Sequence, residues 1–244
     1  MYTSVRQSAG LFRHFINLRI QWKLTLLIVC LLSIAVFGNL MGISKMRSVG
    51  NELVDIAEVD VPLTGLLVRV TEGQLQSEIA LERALRLGHV AVAEGASEQR
   101  RRAAAEKHFD QYSHHIDQAL QMAENLVVKN LKRVHSEAQK SNLETIQAKL
   151  QHIKKAHSQF EQSVADVFEL IELGNIKSAA QRADKVEQQA KSLEHQTVVL
   201  LEKIQSFTTE AAVNAEHHEQ SGIEMMMMVL GIGIVLGVLL GAGI

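Results

Sequence analysis

The stretch LETIQAKLQHIKKAHSQFEQSVADVFELI, residues 143–171, decides the fold class. Its apolar side chains recur every three or four positions, which places them along one face of an α-helix. Spacing of this kind is typical of helices that pack in bundles or coiled coils. We therefore predict a long amphipathic helix here, with Glu161 one position off the apolar seam. The seam comprises Leu143, Ile146, Leu150, Ile153, His157, Phe160, Val164, Val167 and Ile171.

The same spacing continues on both sides of this helix, and short breaks divide it into four bundle helices. The breaks fall at residues 93–96, in the weakly patterned stretch 125–141 and at Gly174-Asn175. Ser97 is the expected N-cap of the second helix, and Ser141-Asn142-Leu143-Glu144 fits a capping box that opens the third. Pro62 is expected to restart or kink the first helix rather than end it.

Composition limits the class of protein. The chain has 244 residues, of which one is Pro and 4% are aromatic. A β-sheet protein needs more residues that favour turns and strands. A net charge of −2 argues against nucleic-acid binding. The single cysteine, Cys30, excludes an intrachain disulfide. The sequence has no phosphate-binding glycine loop, nucleophile elbow or hydrolytic metal motif, so we predict no enzyme, no catalytic residue and no cofactor.

Two uncharged apolar runs enclose the bundle, at residues 24–44 and 225–244. Each is long enough to cross a bilayer, which takes about 20 residues. A signal peptide is the alternative for the first run, but no small-residue cleavage site follows this run. A buried core helix is the alternative for the second. The predicted fold is an all-α, antiparallel four-helix bundle at residues 45–224, flanked by two transmembrane helices.

The basic tail, residues 1–23, predicts the orientation. It carries four Lys or Arg residues and no acidic residue, whereas all 27 Asp and Glu residues lie between positions 45 and 224. Positively charged flanks stay in the cytoplasm. We therefore expect a multi-pass protein of the bacterial inner membrane with a cytoplasmic N-terminus and a periplasmic bundle.

Five polar residues interrupt the apolar seams at one height of the bundle. At 1.5 Å per helical residue, they are expected within about 10 Å of one another along the axis. They are either a buried layer that fixes helix register or a site for a ligand or proton. The five are Gln74, Ser77, Tyr112, His157 and Thr197.

Other residues are weaker candidates. Arg83 and Arg86 lie about one turn above the layer and could hold a carboxylate, or could pair within their own helix. Gly233, Gly237 and Gly241 are spaced by four in the second apolar run and could let helices approach closely. One stretch is rich in histidine and acidic residues, which are common metal ligands. Its residues do not have the spacing of a known metal-binding motif, so we predict a solvated helix face and no metal site. That stretch contains Glu106, His108, Asp110, His114 and His115.

Short segments in three regions of the chain resemble bacterial chemoreceptors. Asp60-Val61-Pro62-Leu63, with Gln74-Leu75 and Glu82-Arg83-Ala84-Leu85-Arg86-Leu87-Gly88, is similar to the first sensor helix of methyl-accepting chemotaxis proteins. Glu172-Leu173-Gly174-Asn175 with Ala179-Ala180 resembles the tip between their third and fourth helices, and Asn17-Leu18-Arg19-Ile20 resembles the flank of their first span. The resemblance implies the N-terminal input half of such a receptor, with a four-helix-bundle sensor domain.

That input half implies a function and partners. It would sense a small-molecule ligand or a periplasmic binding protein, form a homodimer, and pass a helix displacement through the second span. The alternatives are a non-sensing membrane scaffold that binds a partner helix, or the input module of a sensor kinase or cyclic-dinucleotide enzyme. Since no output domain follows Ile244, we expect a truncated receptor that reaches cytoplasmic signalling partners only through the missing part.

Overall fold

The computed structural model describes residues 20–94, 96–134 and 136–242, and all regular elements in them are helical. The elements are α1 (Ile20–Asp55), a π-helical turn (Ile56–Asp60), α2 (Val61–Glu94), α3 (Ala96–Leu131), α4 (Glu137–Glu172) and α5 (Ile176–Ala242). The predicted all-α class is confirmed. Residues 1–19, most of the expected cytoplasmic tail, lie outside the described residues.

The chain forms two compact units. One contains Val54–Glu210 and therefore α2, α3, α4 and the first half of α5. The other combines residues up to Leu53 with residues from Ala211 onward, which are α1 and the second half of α5.

The first unit is a four-helix bundle, and all four helices contribute side chains to a single apolar core. The entire predicted seam of residues 143–171 is buried on α4. Neighbouring helices run antiparallel: Arg102 near the start of α3 lies 3.9 Å from Glu172 at the end of α4. Likewise Arg182 near the start of α5 pairs with Asp166 near the end of α4. The short connections between successive helices require this arrangement.

The helix ends show where local sequence signals succeeded and failed. Gly174 has φ +72°, a conformation that favours glycine, and the backbone N–H of Asn175 donates to the Leu170 carbonyl at 2.9 Å. This is the predicted glycine stop of α4. The predicted capping box at Ser141 is wrong, because α4 begins four residues earlier, at Glu137. Ser136 is the N-cap, and its hydroxyl accepts from the Gln139 N–H at 3.1 Å.

The predicted N-cap at Ser97 is also wrong, because an N-cap precedes its helix. Since α3 begins at Ala96, Ser97 lies inside the first turn, and its side chain is outside the described part of the chain. Pro62 does not end a helix either. The π-helical turn directly before it lets the Val61 N–H donate to the Ile56 carbonyl, five residues back. This wider turn makes room for a ring that would otherwise clash with a carbonyl of the preceding turn.

The second unit holds both apolar runs, and most of their described side chains are exposed. Only 6% of the most apolar window of each helix is buried within the protein. A core helix would be largely covered, so this exposure argues against that alternative for the second run. The two helices are long and apolar enough to cross a membrane.

Glycines of α1 bring the two apolar helices together. A Cβ placed on Gly38 would lie 2.8 Å from Val229 Cγ1, and one on Gly42 would lie 2.9 Å from Met226 Cε. These glycines, four apart, let the helices of this unit approach closely. The spacing of glycines by four instead predicted close packing at glycines of α5. Gly233 and Gly237 have no atom within 4 Å of such a Cβ, and the surroundings of Gly241 lie outside the described side chains.

Candidate functional site

Five polar side chains, called the polar layer below, are buried in the core of the bundle. They are Gln74, Ser77, Ser113, His157 and Thr197, each at most 4% exposed. Four of them are the residues that sequence spacing assigned to one height. The fifth differs, because α3 turns Ser113 into the core and leaves Tyr112 half-buried. Ser113 lies between Phe109 and Ile116 on the buried face, at the spacing of three and four that a core position requires.

The hydroxyl groups of Ser77 and Thr197 are satisfied within their own helices. Ser77 Oγ donates to the Gly73 carbonyl, and Thr197 Oγ1 donates to the Leu193 carbonyl, both at 2.9 Å. Gln74 differs, since neither its Nε2 nor its Oε1 has a hydrogen-bond partner among the described residues. An unpaired buried amide costs about 1–3 kcal/mol, which a bound polar group could offset.

His157 faces two carboxylates. Its Nε2 lies 3.5 Å from Glu161 Oε1 on its own helix and 3.8 Å from Asp117 Oδ1 on α3. Ser113 Oγ is 3.4 Å from the same nitrogen and donates to Glu161 Oε1. The imidazole is 1% exposed, and its other nitrogen, Nδ1, has no partner among the described residues.

The histidine is held in its neutral form. Burial lowers the pKa of His157, and the charges of Glu161 and Asp117 oppose this shift without reversing it. Desolvation disfavours the charged form of a buried imidazole. At neutral pH the ring therefore keeps a lone pair on one of its nitrogens.

Carboxylates line the groove that leads to this cluster. The groove between α3 and α4 has a volume of about 680 Å³, and Ser113, Asp117 and Glu161 lie on its wall. Four further acidic residues line it: Glu106, Asp110, Glu169 and Glu172. Burial, and then repulsion from Glu172 and Asp110, raises the pKa of Glu106. The groove is therefore suited to a cation.

A second groove lies between α2 and α5. Its volume is about 570 Å³, and it mixes apolar side chains such as Leu75 and Ile79 with the carboxylates of Glu78 and Glu187. Burial, followed by the nearby charges of Glu194 and Glu187, raises the pKa of Glu78. None of the predicted layer residues lines this groove.

The remaining candidates lie away from the buried layer. Arg83 and Arg86 are exposed on α2, so their guanidinium groups face solvent rather than the core. His114 lines the acidic groove but is exposed. The close cluster of Asp117, His157 and Glu161 was not predicted, because Asp117 comes from a different helix and no sequence spacing joins it to the others.

Comparison with known proteins finds one family that part of the chain resembles. Residues 14–124 match the model of the family described as Tar ligand binding domain homologue. This part of the chain is related to chemoreceptor sensor domains. The match spans α1, α2 and most of α3, and it confirms the resemblance over the motifs at residues 17–20 and 60–88. No curated protein and no solved structure matches the chain.

The family match and the fold agree on a membrane setting. Chemoreceptor sensor domains are ligand-binding modules, and here the matched region contains the first apolar helix. Together with the second apolar helix, this supports a location in the inner membrane. The family is also a non-enzymatic one.

Proposed function

We propose that the protein is the sensory input module of a chemoreceptor-like protein. It binds a small-molecule ligand or a loaded binding protein outside the membrane and passes a helix displacement through its second span. The observation that carries the proposal is the match of residues 14–124 to a chemoreceptor ligand-binding family. The orientation that goes with it has residues 1–23 in the cytoplasm, spans at 24–44 and 225–244, and residues 45–224 outside.

The proposed signal travels along α5. This helix is continuous over Ile176–Ala242, so it contains both the layer residue Thr197 and residues 225–242 of the second apolar run. Its displacement would amount to about 1–2 Å, as is typical of helix shifts in switching proteins. An uninterrupted hydrogen-bonded helix is a suitable element for such a movement, since no loop absorbs it.

The proposed ligand contacts centre on the polar layer. The unpaired amide of Gln74 and the neutral ring of His157 offer donors and acceptors beside Ser77 and Thr197. Tyr112 would contribute from its half-buried position. Arg83 and Arg86, exposed on the first bundle helix, would serve an acidic ligand or a protein partner that docks on the outside.

A homodimer is part of the proposal. Large apolar side chains remain exposed along one stripe of α2, at Val61, Val68, Leu75 and Ile79. Their spacing by seven and then four is the spacing of a coiled-coil seam. A second copy would cover this stripe, and the open glycines Gly233 and Gly237 would allow close packing between spans.

A chimeric receptor tests the sensory role. The whole chain would be joined after Ile244 to the signalling half of a characterised chemoreceptor, and kinase activity would be measured in membranes. We expect that at least one compound or periplasmic extract changes the activity, and that Gln74→Leu weakens the response. The control is Gln159→Leu, an exposed position on α4. A well-expressed dimeric chimera that answers no stimulus would favour the scaffold function instead.

A further inference from the structure

One cluster on the bundle has the composition of a metal site. Asp117, His157 and Glu161 each offer one ligand atom, and these three atoms lie within 4.8 Å of one another. An imidazole nitrogen with carboxylate oxygens is a ligand set that zinc accepts, and three protein ligands with one open position form a common zinc centre.

The distances favour a bridging ion over direct hydrogen bonds. His157 Nε2 is 3.5 Å from the Glu161 oxygen and 3.8 Å from the Asp117 oxygen. Both distances exceed the roughly 2.7–3.2 Å of an N–H···O hydrogen bond. Two ligands at zinc distances of about 2.0–2.2 Å from a tetrahedral ion lie about 3.4 Å apart. The two distances from His157 Nε2 are therefore close to the separation that a shared ion requires.

The three side chains of the cluster differ in how far they are buried. His157 is 1% exposed, whereas the side chains of Glu161 and Asp117 are 31% and 52% exposed. The imidazole nitrogen thus lies at the buried end of the site, and the two carboxylates lie closer to solvent. The acidic groove between α3 and α4 provides the entry path, because Asp117 and Glu161 lie on its wall.

Ser113 provides the outer support that such sites use. Its hydroxyl donates to Glu161 and so orients that carboxylate toward the histidine. Hydrogen bonds of this type to ligating carboxylates commonly fix the geometry of metal sites. The four residues also form two pairs at i and i+4, Ser113 with Asp117 on α3 and His157 with Glu161 on α4, so each helix presents its pair on one face.

We propose that Asp117, His157 and Glu161 bind a divalent transition-metal ion, Zn²⁺ being the best fit, with water in the fourth position. The ion would link α3 to α4 halfway along the bundle. This site does not depend on the proposed sensory role, since a metal could stabilise the bundle whether or not the protein signals.

Zinc binding by the full chain in detergent tests the proposal. The protein would first be stripped with a chelator, then titrated with Zn²⁺ by calorimetry and with Co²⁺ by visible absorption. We expect one saturable site per chain whose Co²⁺ spectrum is that of a four-coordinate ion. Loss of an outer-shell partner costs about 10–100-fold in affinity, so loss of a ligand should cost at least tenfold. Asp117→Asn and Glu161→Gln should each show this loss.

Asp110→Asn is the matched control. Asp110 lies on the same helix and lines the same groove, but it is not part of the cluster. Weak binding by exposed histidines is common to all variants, and circular dichroism would establish that each is folded. Normal affinity in Asp110→Asn with loss in the two ligand variants supports the site. The proposal is overturned if wild type shows no saturable binding, if the ligand variants bind like wild type, or if all three variants weaken equally.

Discussion

Phe160 lies at the centre of the bundle core. It is 1% exposed and packs against the rings of His157 and Phe109, with centroid distances of 6.3 and 6.0 Å. Removing a buried aromatic ring costs its transfer free energy and leaves a cavity. We predict that Phe160→Ala lowers the free energy of unfolding by about 3–5 kcal/mol, as measured by urea unfolding of the full chain in mild detergent.

The control for this prediction is Gln159→Ala. Gln159 is exposed next to Phe160, and its loss should change stability by less than about 0.5 kcal/mol. Glu161, which the seam places off the core, is not a neutral control because it accepts a hydrogen bond from Ser113. Equal unfolding midpoints for the Phe160 and Gln159 variants would show that the α4 seam is misplaced.

Asp60 predicts a pH-dependent stability. Burial, and to a smaller extent the charge of Asp55, raises its pKa, while the hydrogen bond donated by Thr208 from α5 at 2.8 Å lowers it. The folded state therefore holds the Asp60 proton more tightly than the unfolded chain. As pH rises above about 3.9, the ordinary value for Asp, the charged carboxylate destabilises the folded state.

Asp60→Asn should consequently raise the melting temperature at pH 7, because the amide carries no charge and can still accept from Thr208. The gain should shrink toward zero as pH falls to about 4. Melting curves of wild type and variant in detergent between about pH 4 and 8 measure this difference. A constant difference across that range would exclude ionisation of Asp60 as its cause.

At the scale of one element, α4 has two competing candidate N-caps. Ser136 has extended φ and ψ angles and accepts from the Gln139 N–H, whereas Ser141 lies within the helix. Loss of a serine N-cap costs about 0.5–2 kcal/mol. We predict that Ser136→Ala destabilises the protein by about 1 kcal/mol and that Ser141→Ala does not, measured by urea unfolding. The reverse order would restore the capping box at Ser141.

The pairing of the two apolar helices rests on glycines of α1. A leucine at Gly38 would collide with Val229, and overpacking of this kind costs about 1–3 kcal/mol. Gly231→Leu is the matched control, because nothing lies within 4 Å of a Cβ there and the gain in helix propensity is the same. We predict a lower melting temperature for Gly38→Leu only. If both variants melt together, close packing at Gly38 is not stabilising.

At the scale of the whole molecule, the testable property is topology. We predict that residues 1–23 are cytoplasmic and that the bundle is outside. The reason is that the tail contains four basic residues and no acidic residue. In a Cys30→Ala background, Gln151→Cys on the exposed side of α4 should react with an impermeant thiol reagent in intact spheroplasts. Ser8→Cys in the tail should react only after lysis. The opposite labelling pattern would invert the topology.

Patterns along the chain were sufficient to predict the helical class, the two apolar runs, the seam of residues 143–171 and the stop at Gly174. These are properties of one chain segment at a time, since periodicity, span length and a glycine turn are each readable along the sequence. The family resemblance also followed from local motifs and agrees with the match over residues 14–124.

Which side chains from different helices meet could be seen only in the folded protein. Neighbouring residues on a helix point about 100° apart, so the rotation of α3 about its own axis decides whether Ser113 or Tyr112 faces the core. The same rotation and the axial shift between α3 and α4 bring Asp117 to His157 and Glu161. Packing against Val229 likewise selects Gly38 over Gly233 as the close contact in the apolar unit. Rotation and axial shift are set by how whole faces interlock, which no single segment encodes.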